Sequence, residues 1–160
     1  MKKSFSLFLT AMFLSTAASM NSLAADSNDV SSHADLSNIQ NDLSVLSDSF
    51  RPIGSLGEQN AVQHLEKRFS DMGYTVTLQP YTNDQGLTGM NVIAVKEAAD
   101  PNADIFILSA HHDSVPTAYG ANDNASGVAA LLAAAENLKD MPSDTEIRFI
   151  SFTDEENGKN

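Results

Sequence analysis

The residues best suited to chemistry in this sequence are histidines and carboxylates gathered in three short stretches. They are His111-His112-Asp113, then Asp123, then Asp154-Glu155-Glu156. The five carboxylates are negatively charged at neutral pH. Bringing them to one place beside two imidazoles would be unfavourable unless a cation lay among them. The sequence has no cysteine, so any metal must be held by histidine and carboxylate ligands. The pattern therefore predicts a divalent metal site.

The spacing within these stretches indicates how the work is divided. An imidazole that binds a metal usually donates its other N–H to a carboxylate, which favours His111 paired with Asp113. Glu155 and Glu156 are adjacent, and neighbouring side chains at a strand end point in different directions. One of the two can bind metal while the other acts as a general base on a water molecule. The residues alone do not say which glutamate has which role.

The elements around the three stretches are predicted to bring them together. Residues 105–108 form a continuous apolar run, which is typical of a strand buried on both faces. Residues 125–138 have a helical apolar stripe, and residues 147–152 form a further strand. A strand, helix and strand in this order predict a parallel βαβ unit. The carboxyl ends of its strands meet at one edge of the sheet, where sites are usually found.

The preceding residues supply the rest of the predicted fold. Residues 35–50 and 56–72 are predicted helices, the first capped by Asp35 and the second ended by Gly73. The buried face of the second helix is predicted to contain Ala61, Val62, Leu65 and Phe69. Residues 74–78 and 90–95 are predicted strands. We therefore expect an α/β fold with a mixed, mainly parallel sheet flanked by helices.

The amino-terminal residues are predicted to be an export signal. Lys2 and Lys3 precede an apolar run at residues 5–18, and Ser22 and Ala24 suit signal-peptidase cleavage. We predict a signal peptide at residues 1–24, a flexible leader at 25–34 and a single domain at 35–160. The apolar run is too short for a membrane span of about 20 residues, so we expect a secreted protein, extracellular or periplasmic, without a membrane anchor. The formal net charge of −12 argues against binding to nucleic acid.

Three blocks of the sequence resemble the M28 family of metallopeptidases, the two-zinc aminopeptidases of bacterial-leucyl and Streptomyces type. They are SAHHDS at residues 109–114, GANDNASG at residues 120–127 and FTDEENG at residues 152–158. Their order and spacing match the family, and RPIGS at residues 51–55 resembles its leading segment. The resemblance covers roughly residues 36–158 and implies the fold of the zinc peptidases, which is phosphorylase/hydrolase-like.

The resemblance also implies a role for each site residue. His111 would bind one zinc ion, Glu156 the other, and Asp123 would bridge the two. Glu155 would be the general base, and Asp113 would orient His111. The family further implies a cis peptide bond between Asp123 and Asn124. The implied reaction is hydrolysis of the first peptide bond of peptides or proteins that have a free amino terminus.

The ligand set is expected to be incomplete in these 160 residues. The family site has five protein ligands, of which three are matched, and the missing two are an aspartate and a second histidine. We therefore expect a truncated form with a domain incomplete at its carboxyl terminus, an unpaired sheet edge and no aminopeptidase activity of its own. His33, His64 and His112 are expected to be ordinary solvent-facing residues rather than substitute ligands.

Several alternatives remain open at the level of sequence. M20-type amidohydrolases also begin their site with His-x-Asp, and glutaminyl cyclases use a similar scaffold with a single zinc. A non-catalytic exported binding module derived from the peptidase fold is a third possibility. The number of zinc ions bound separates these classes, with two for the intact peptidase, one for a cyclase-like site and none for the module.

Overall fold

The computed structural model describes residues 35–158 of the 160-residue chain. The predicted signal peptide at 1–24 and the predicted leader at 25–34 lie outside the described residues. The same holds for His33.

Within residues 35–158, no helix combines the length and the apolar character needed to cross a bilayer.

The first helix, α1, spans Leu36–Leu46. Asp35 caps it as predicted, because its side chain accepts a hydrogen bond from the Ser37 amide at 2.8 Å. The predicted end at residue 50 was wrong by one turn. Ser47 ends the helix, with its amide and its hydroxyl both donating to the Leu43 carbonyl. These two bonds use the carbonyl at the helix end, so the chain can leave the helical path.

The second helix, α2, spans Leu56–Asp71 and confirms the predicted buried face. Ser55 caps it by accepting a hydrogen bond from the Glu58 amide at 3.1 Å. Gly73 follows the helix at a φ of +87°, a conformation that glycine adopts without a steric penalty. The face predicted to be buried is at most 6% exposed, and it consists of Ala61, Val62, Leu65 and Phe69.

Four strands form a single mixed sheet in the order β1-β2-β4-β3. They are β1 at Thr75–Thr82, β2 at Thr88–Lys96, β3 at Ile105–His111 and β4 at Glu146–Phe152. The predicted mixed α/β fold is confirmed. The sheet is less parallel than predicted, because β1–β2 and β2–β4 are antiparallel and only β3–β4 is parallel among these strands. The first antiparallel pair follows from the β1–β2 hairpin, whose short turn can join only antiparallel neighbours.

The parallel pair is the predicted βαβ unit, with helix α3 at Ser126–Leu138 between its strands. β3 was expected to be buried on both faces, and this was wrong for the described sheet. β4 lies between β2 and β3, so β3 is at the edge and contacts one strand only. The side chains of Ile105, Phe106 and Ile107 are 50%, 58% and 53% exposed. Within the described sheet, the expected unpaired edge is therefore at β3.

All three helices and the two central strands contribute to one hydrophobic core. Phe149 of β4 lies at its centre and contacts the rings of Phe69 and Tyr74, with centroids 6.1 and 5.3 Å away. Leu46 from α1 and Leu132 from α3 are buried in the same cluster. This core fixes β3 and β4 side by side, and it thereby fixes the ends from which the candidate site is built.

Candidate metal site

The candidate site lies where the two parallel strands end. His111 is the last residue of β3, and its register partner is Phe152, the last residue of β4. The His112 amide extends the pairing by donating to the Phe152 carbonyl at 2.9 Å. The residues that follow each strand therefore start from adjacent points, although they are more than 40 positions apart in sequence. This is the convergence that the βαβ pattern predicts.

His111 is oriented by Asp113. Its Nδ1 lies 3.2 Å from Asp113 Oδ1, and the second oxygen of that carboxylate accepts a hydrogen bond from the Glu156 amide at 3.1 Å. Asp113 is 1% exposed, so its position is fixed by packing on every side. When Nδ1–H donates to Asp113, the lone pair of Nε2 is left for a ligand. Asp113 thus connects His111, at the end of β3, to Glu156, in the segment that follows β4.

Asp123 approaches His111 from a kinked segment, Ala121–Ala125, that precedes α3. Asp123 Oδ1 lies 3.1 Å from His111 Nε2. The peptide bond between Asp123 and Asn124 is cis, as the family resemblance implies. Asn124 rather than Asp123 supports the helix start, because its Oδ1 accepts a hydrogen bond from the Gly127 amide at 3.0 Å. Asp123 itself is left pointing at the histidine.

Glu155 and Glu156 come from a single 3₁₀ turn, Glu155–Asn157, directly after β4. Asp154 precedes the turn at a φ of +65°, and Asn83 donates to its carboxylate at 3.2 Å. Glu155 Oε2 lies 3.7 Å from His111 Nε2. Glu156 enters the cluster in which the ligand atoms of His111, Asp123 and Glu156 all lie within 4.8 Å of one another.

The charges at this site fit a bound cation. Burial, the negative charges of Asp123 and Asp113 and the smaller effect of Glu155 together raise the pKa of Glu156, against a lowering by His111. The protein thus holds a carboxylate where its ionised form is disfavoured in the metal-free state. A divalent cation among His111, Asp123 and Glu156 would reverse this effect. One imidazole and two carboxylates are ligands that zinc accepts.

A buried carboxylate, that of Glu58, holds the start of the segment that follows β4. Glu58 of α2 is 1% exposed and accepts hydrogen bonds from Thr153 Oγ1 at 2.7 Å and from the Gly54 and Met90 amides at 2.8 and 3.1 Å. Burial opposes its ionisation, but the neighbouring His112 and these three hydrogen bonds lower the pKa of Glu58 below its ordinary value. Thr153 directly follows β4, so Glu58 links α2 to the start of the segment that contains Asp154, Glu155 and Glu156.

The prediction that His64 and His112 face solvent was wrong. His112 is fully buried, with Nδ1 2.9 Å from Ser151 Oγ and Nε2 3.8 Å from Glu58 Oε1. It points away from His111, as strand alternation requires, but that direction leads into the protein. The His64 side chain is 14% exposed and contacts Asp42 of α1 at 2.9 Å. Neither imidazole reaches the His111 cluster.

Sequence reasoning missed two residues that build the site, Arg51 and Glu58. Both are 1% exposed, and charged side chains are rarely buried without compensation. Ser55-x-x-Glu58 is a helix-capping signature that could have placed Glu58 near a helix start. Nothing local to the sequence signals that either charge is buried, because their partners come from distant segments.

Comparison with known proteins agrees with this architecture. The model of "Peptidase family M28" matches residues 91–160. Aminopeptidase YwaD of Bacillus subtilis (strain 168) is 46% identical over 85 residues, which cover 52% of this chain and 18% of YwaD. The chain thus spans about a fifth of the length of this curated relative.

Two solved structures show the same fold at lower sequence identity. The zinc aminopeptidase BSAP from Bacillus subtilis superimposes with a TM-score of 0.70 at 18% identity, covering 75% of this chain and 61% of BSAP. A glutaminyl cyclase from Fimbriiglobus ruber superimposes with a TM-score of 0.66 at 21% identity, covering 76% of this chain and 46% of the cyclase.

Proposed function

We propose that this chain, whose residues 91–160 match the model of peptidase family M28, belongs to an exported, zinc-dependent aminopeptidase that hydrolyses the first peptide bond of its substrates. The observation that carries the proposal is the cluster of His111, Asp123 and Glu156, whose ligand atoms lie within 4.8 Å of one another. Glu155 stands beside it with half of its side chain exposed. Metal-assisted hydrolysis requires a cluster of metal ligands and, next to it, a solvent-exposed carboxylate that can act as a general base.

Each residue has a distinct part in the proposed site. His111 Nε2, Asp123 and Glu156 would hold zinc. Zinc supplies polarisation of the scissile carbonyl and a lowered pKa for the attacking water. Asp113, whose Oδ1 lies 3.2 Å from His111 Nδ1, would accept a hydrogen bond from Nδ1–H and so leave Nε2 for the metal. The Glu155 carboxylate would accept a proton from the water and pass it to the leaving amine.

The adjacent glutamates allow a matched test of this division. In isothermal titration with zinc, Glu156→Gln is expected to lower the affinity of the 160-residue chain at least tenfold, as is His111→Ala. Glu155→Gln is expected to stay within about twofold of the unchanged chain, because a general base is not a ligand. His64→Gln serves as a histidine control outside the cluster.

Equal losses for Glu155→Gln and Glu156→Gln would contradict the assignment of roles. An unchanged chain that takes up no zinc would contradict the proposal that His111, Asp123 and Glu156 hold a metal by themselves.

A glutaminyl cyclase is the second candidate, supported by the fold shared with the Fimbriiglobus ruber enzyme. The similarity to Aminopeptidase YwaD favours the peptidase, because that relative is 46% identical to this chain over 85 residues. Assays with an aminoacyl p-nitroanilide and with a peptide that begins with glutamine separate the two activities. The polypeptide of 160 residues alone, with three matched ligands, is expected to be inactive in both, and zinc-dependent release of nitroaniline would overturn that expectation.

Export is proposed from the amino-terminal sequence. Cleavage between Ala24 and Ala25 would release the leader and the domain outside the cytoplasm. Amino-terminal sequencing of the protein recovered from the medium or the periplasm tests it, with Ala25 as the expected first residue. Recovery of uncleaved protein from the cytoplasm would contradict the proposal.

A further inference from the structure

Arg51 is the largest side chain in the described part of the molecule that is fully buried, at 1% exposure. A guanidinium withdrawn from water needs partners for its five N–H groups, and buried arginines commonly pair with carboxylates. Here the recorded hydrogen bonds of the guanidinium go to backbone carbonyl oxygens. Burial lowers the pKa of Arg51, although the charge of Asp113 partly offsets this effect.

The carbonyls bound by Arg51 belong to both ends of one loop. Nε donates to the His112 carbonyl at 2.6 Å, between the ligand His111 and its partner Asp113. Nη1 and Nη2 donate to the carbonyls of Tyr119 and Gly120 at 2.7 and 3.1 Å, where the chain turns toward Asp123. Further bonds from Nη1 reach the carbonyls of Leu46, the last residue of α1, and of Ser49.

The backbone of Arg51 makes two further hydrogen bonds near the start of the same loop. Its amide donates to Ser114 Oγ at 2.9 Å, and the Ser114 amide donates to the Arg51 carbonyl at 3.1 Å. Gly120 lies so close that a Cβ there would come within 2.9 Å of Arg51 Nη2. Residues 112–120, the loop that joins His111 to Asp123, are therefore held near the start and at the end by one residue.

From this arrangement we propose that Arg51 is a positioning residue for the metal site, which fixes the spacing between His111 and Asp123 through the loop of residues 112–120. The inference rests on the proposed function for the identity of the ligands. Arg51 touches neither ligand side chain. It acts by holding the backbone from which Asp113 and Asp123 project.

The geometry requires arginine rather than any cation. The planar guanidinium presents donors in several fixed directions, and here they reach carbonyls at both loop ends at once. A lysine has three donors on one nitrogen and can satisfy one end only. Arg51→Lys keeps the charge but is expected to leave buried carbonyls of the loop without partners.

The test compares Arg51→Lys with a matched substitution, Arg68→Lys. Arg68 is also largely buried, but it joins Asp42 of α1 to Glu136 of α3 and does not contact the loop. Hydrogen exchange of the metal-free proteins is followed by mass spectrometry in peptides covering residues 112–125. Zinc affinity is measured by titration, and the overall stability by urea unfolding. If Arg51→Lys does not fold, Ser114→Ala is used instead, because it removes the hydrogen bond from the Arg51 amide to Ser114 Oγ.

Arg51→Lys is expected to speed exchange in residues 112–125 and to lower zinc affinity on the order of tenfold, as loss of a residue that orients ligands does. Arg68→Lys is expected to destabilise the helices without either effect. Equal loop exchange in the two variants, or unchanged zinc affinity in Arg51→Lys, would overturn the inference. If the unchanged chain binds no zinc, the proposed metal site fails, and the exchange of the loop alone decides the role of Arg51.

Discussion

At the scale of single residues, the site depends on charges placed where water does not reach them. Glu58 and Asp113 are both 1% exposed, and each is held by hydrogen bonds from segments far away in sequence. Burying such a carboxylate is unfavourable unless donors replace the lost water. Both carboxylates have those donors, and each therefore ties its own element to the loops that hold the ligands.

Replacing Glu58 with glutamine tests whether its buried, hydrogen-bonded carboxylate stabilises the fold. Glutamine has one acceptor oxygen for three donors, so Glu58→Gln is expected to lower the free energy of unfolding by about 1–3 kcal/mol at neutral pH. The pKa of Glu58 is lowered in the folded protein, so the unfolded chain binds the proton more readily. The stabilisation is thus present above the unfolded pKa and is lost as the pH falls through the folded value.

The difference in unfolding free energy between Glu58→Gln and the unchanged protein should therefore shrink on acidification. Urea unfolding at several pH values between about 7 and 3 measures it. Glu66→Gln, an exposed position on the same helix, is the control and should show little difference at any pH. A constant difference across that range would mean that ionised Glu58 is not the stabilising form.

At the scale of elements, the close approach of α2 to the segment before it decides what its first turn can contain. Gly57 is the second residue of α2, and a Cβ there would come within 2.0 Å of the Phe50 carbonyl oxygen. Helix propensity alone would favour alanine over glycine by about 0.5–1 kcal/mol. The contact prevents this gain, because the obstacle is backbone and not a flexible side chain.

Gly57→Ala is accordingly expected to destabilise the protein by about 1–3 kcal/mol, despite the better helix former. Urea unfolding measures the change. Ser70→Ala, an exposed position near the end of the same helix, should be neutral or stabilising by a few tenths of a kcal/mol. A Gly57→Ala variant as stable as Ser70→Ala would show that α2 can move away from Phe50 at no cost.

At the scale of the whole molecule, the sheet has an apolar edge at β3. Ile105, Phe106 and Ile107 are each at least half exposed, and they lie on a strand with one neighbour in the described sheet. Exposed edge strands with apolar side chains tend to pair with other chains. The 160-residue polypeptide is therefore expected to self-associate through β3 as its concentration rises.

A charge on this edge should reduce the association. Phe106→Lys is expected to raise the concentration at which oligomers form on the order of tenfold, because burial of one phenylalanine contributes about 1.5–3 kcal/mol. Light scattering across a dilution series measures it. Val45→Lys, which adds the same charge at an exposed position of α1, is the control. Identical behaviour of the two variants would exclude β3 as the contact.

The types of most elements follow from the sequence, because side-chain period is a local property. The helical stripes around Leu65 and Leu132 and the apolar run at residues 147–152 predict two helices and a strand that the structure contains. The boundaries were less accurate. α1 ends four residues early because Ser47 caps it, which the apolar spacing does not encode.

The sequence by itself determined that His111, Glu155 and Glu156 lie near the ends of two strands that can meet and that Asp123 lies between those strands, since the βαβ order and the motif spacing lie along the chain. Only the tertiary structure decided that β3 is at the edge of the sheet formed by residues 35–158, because strand order depends on pairings between distant segments. It also decided that His112 faces inward and that Arg51 and Glu58 are buried beneath the site. Burial of a charge depends on donors and acceptors supplied from elsewhere in the fold, and no local pattern records them.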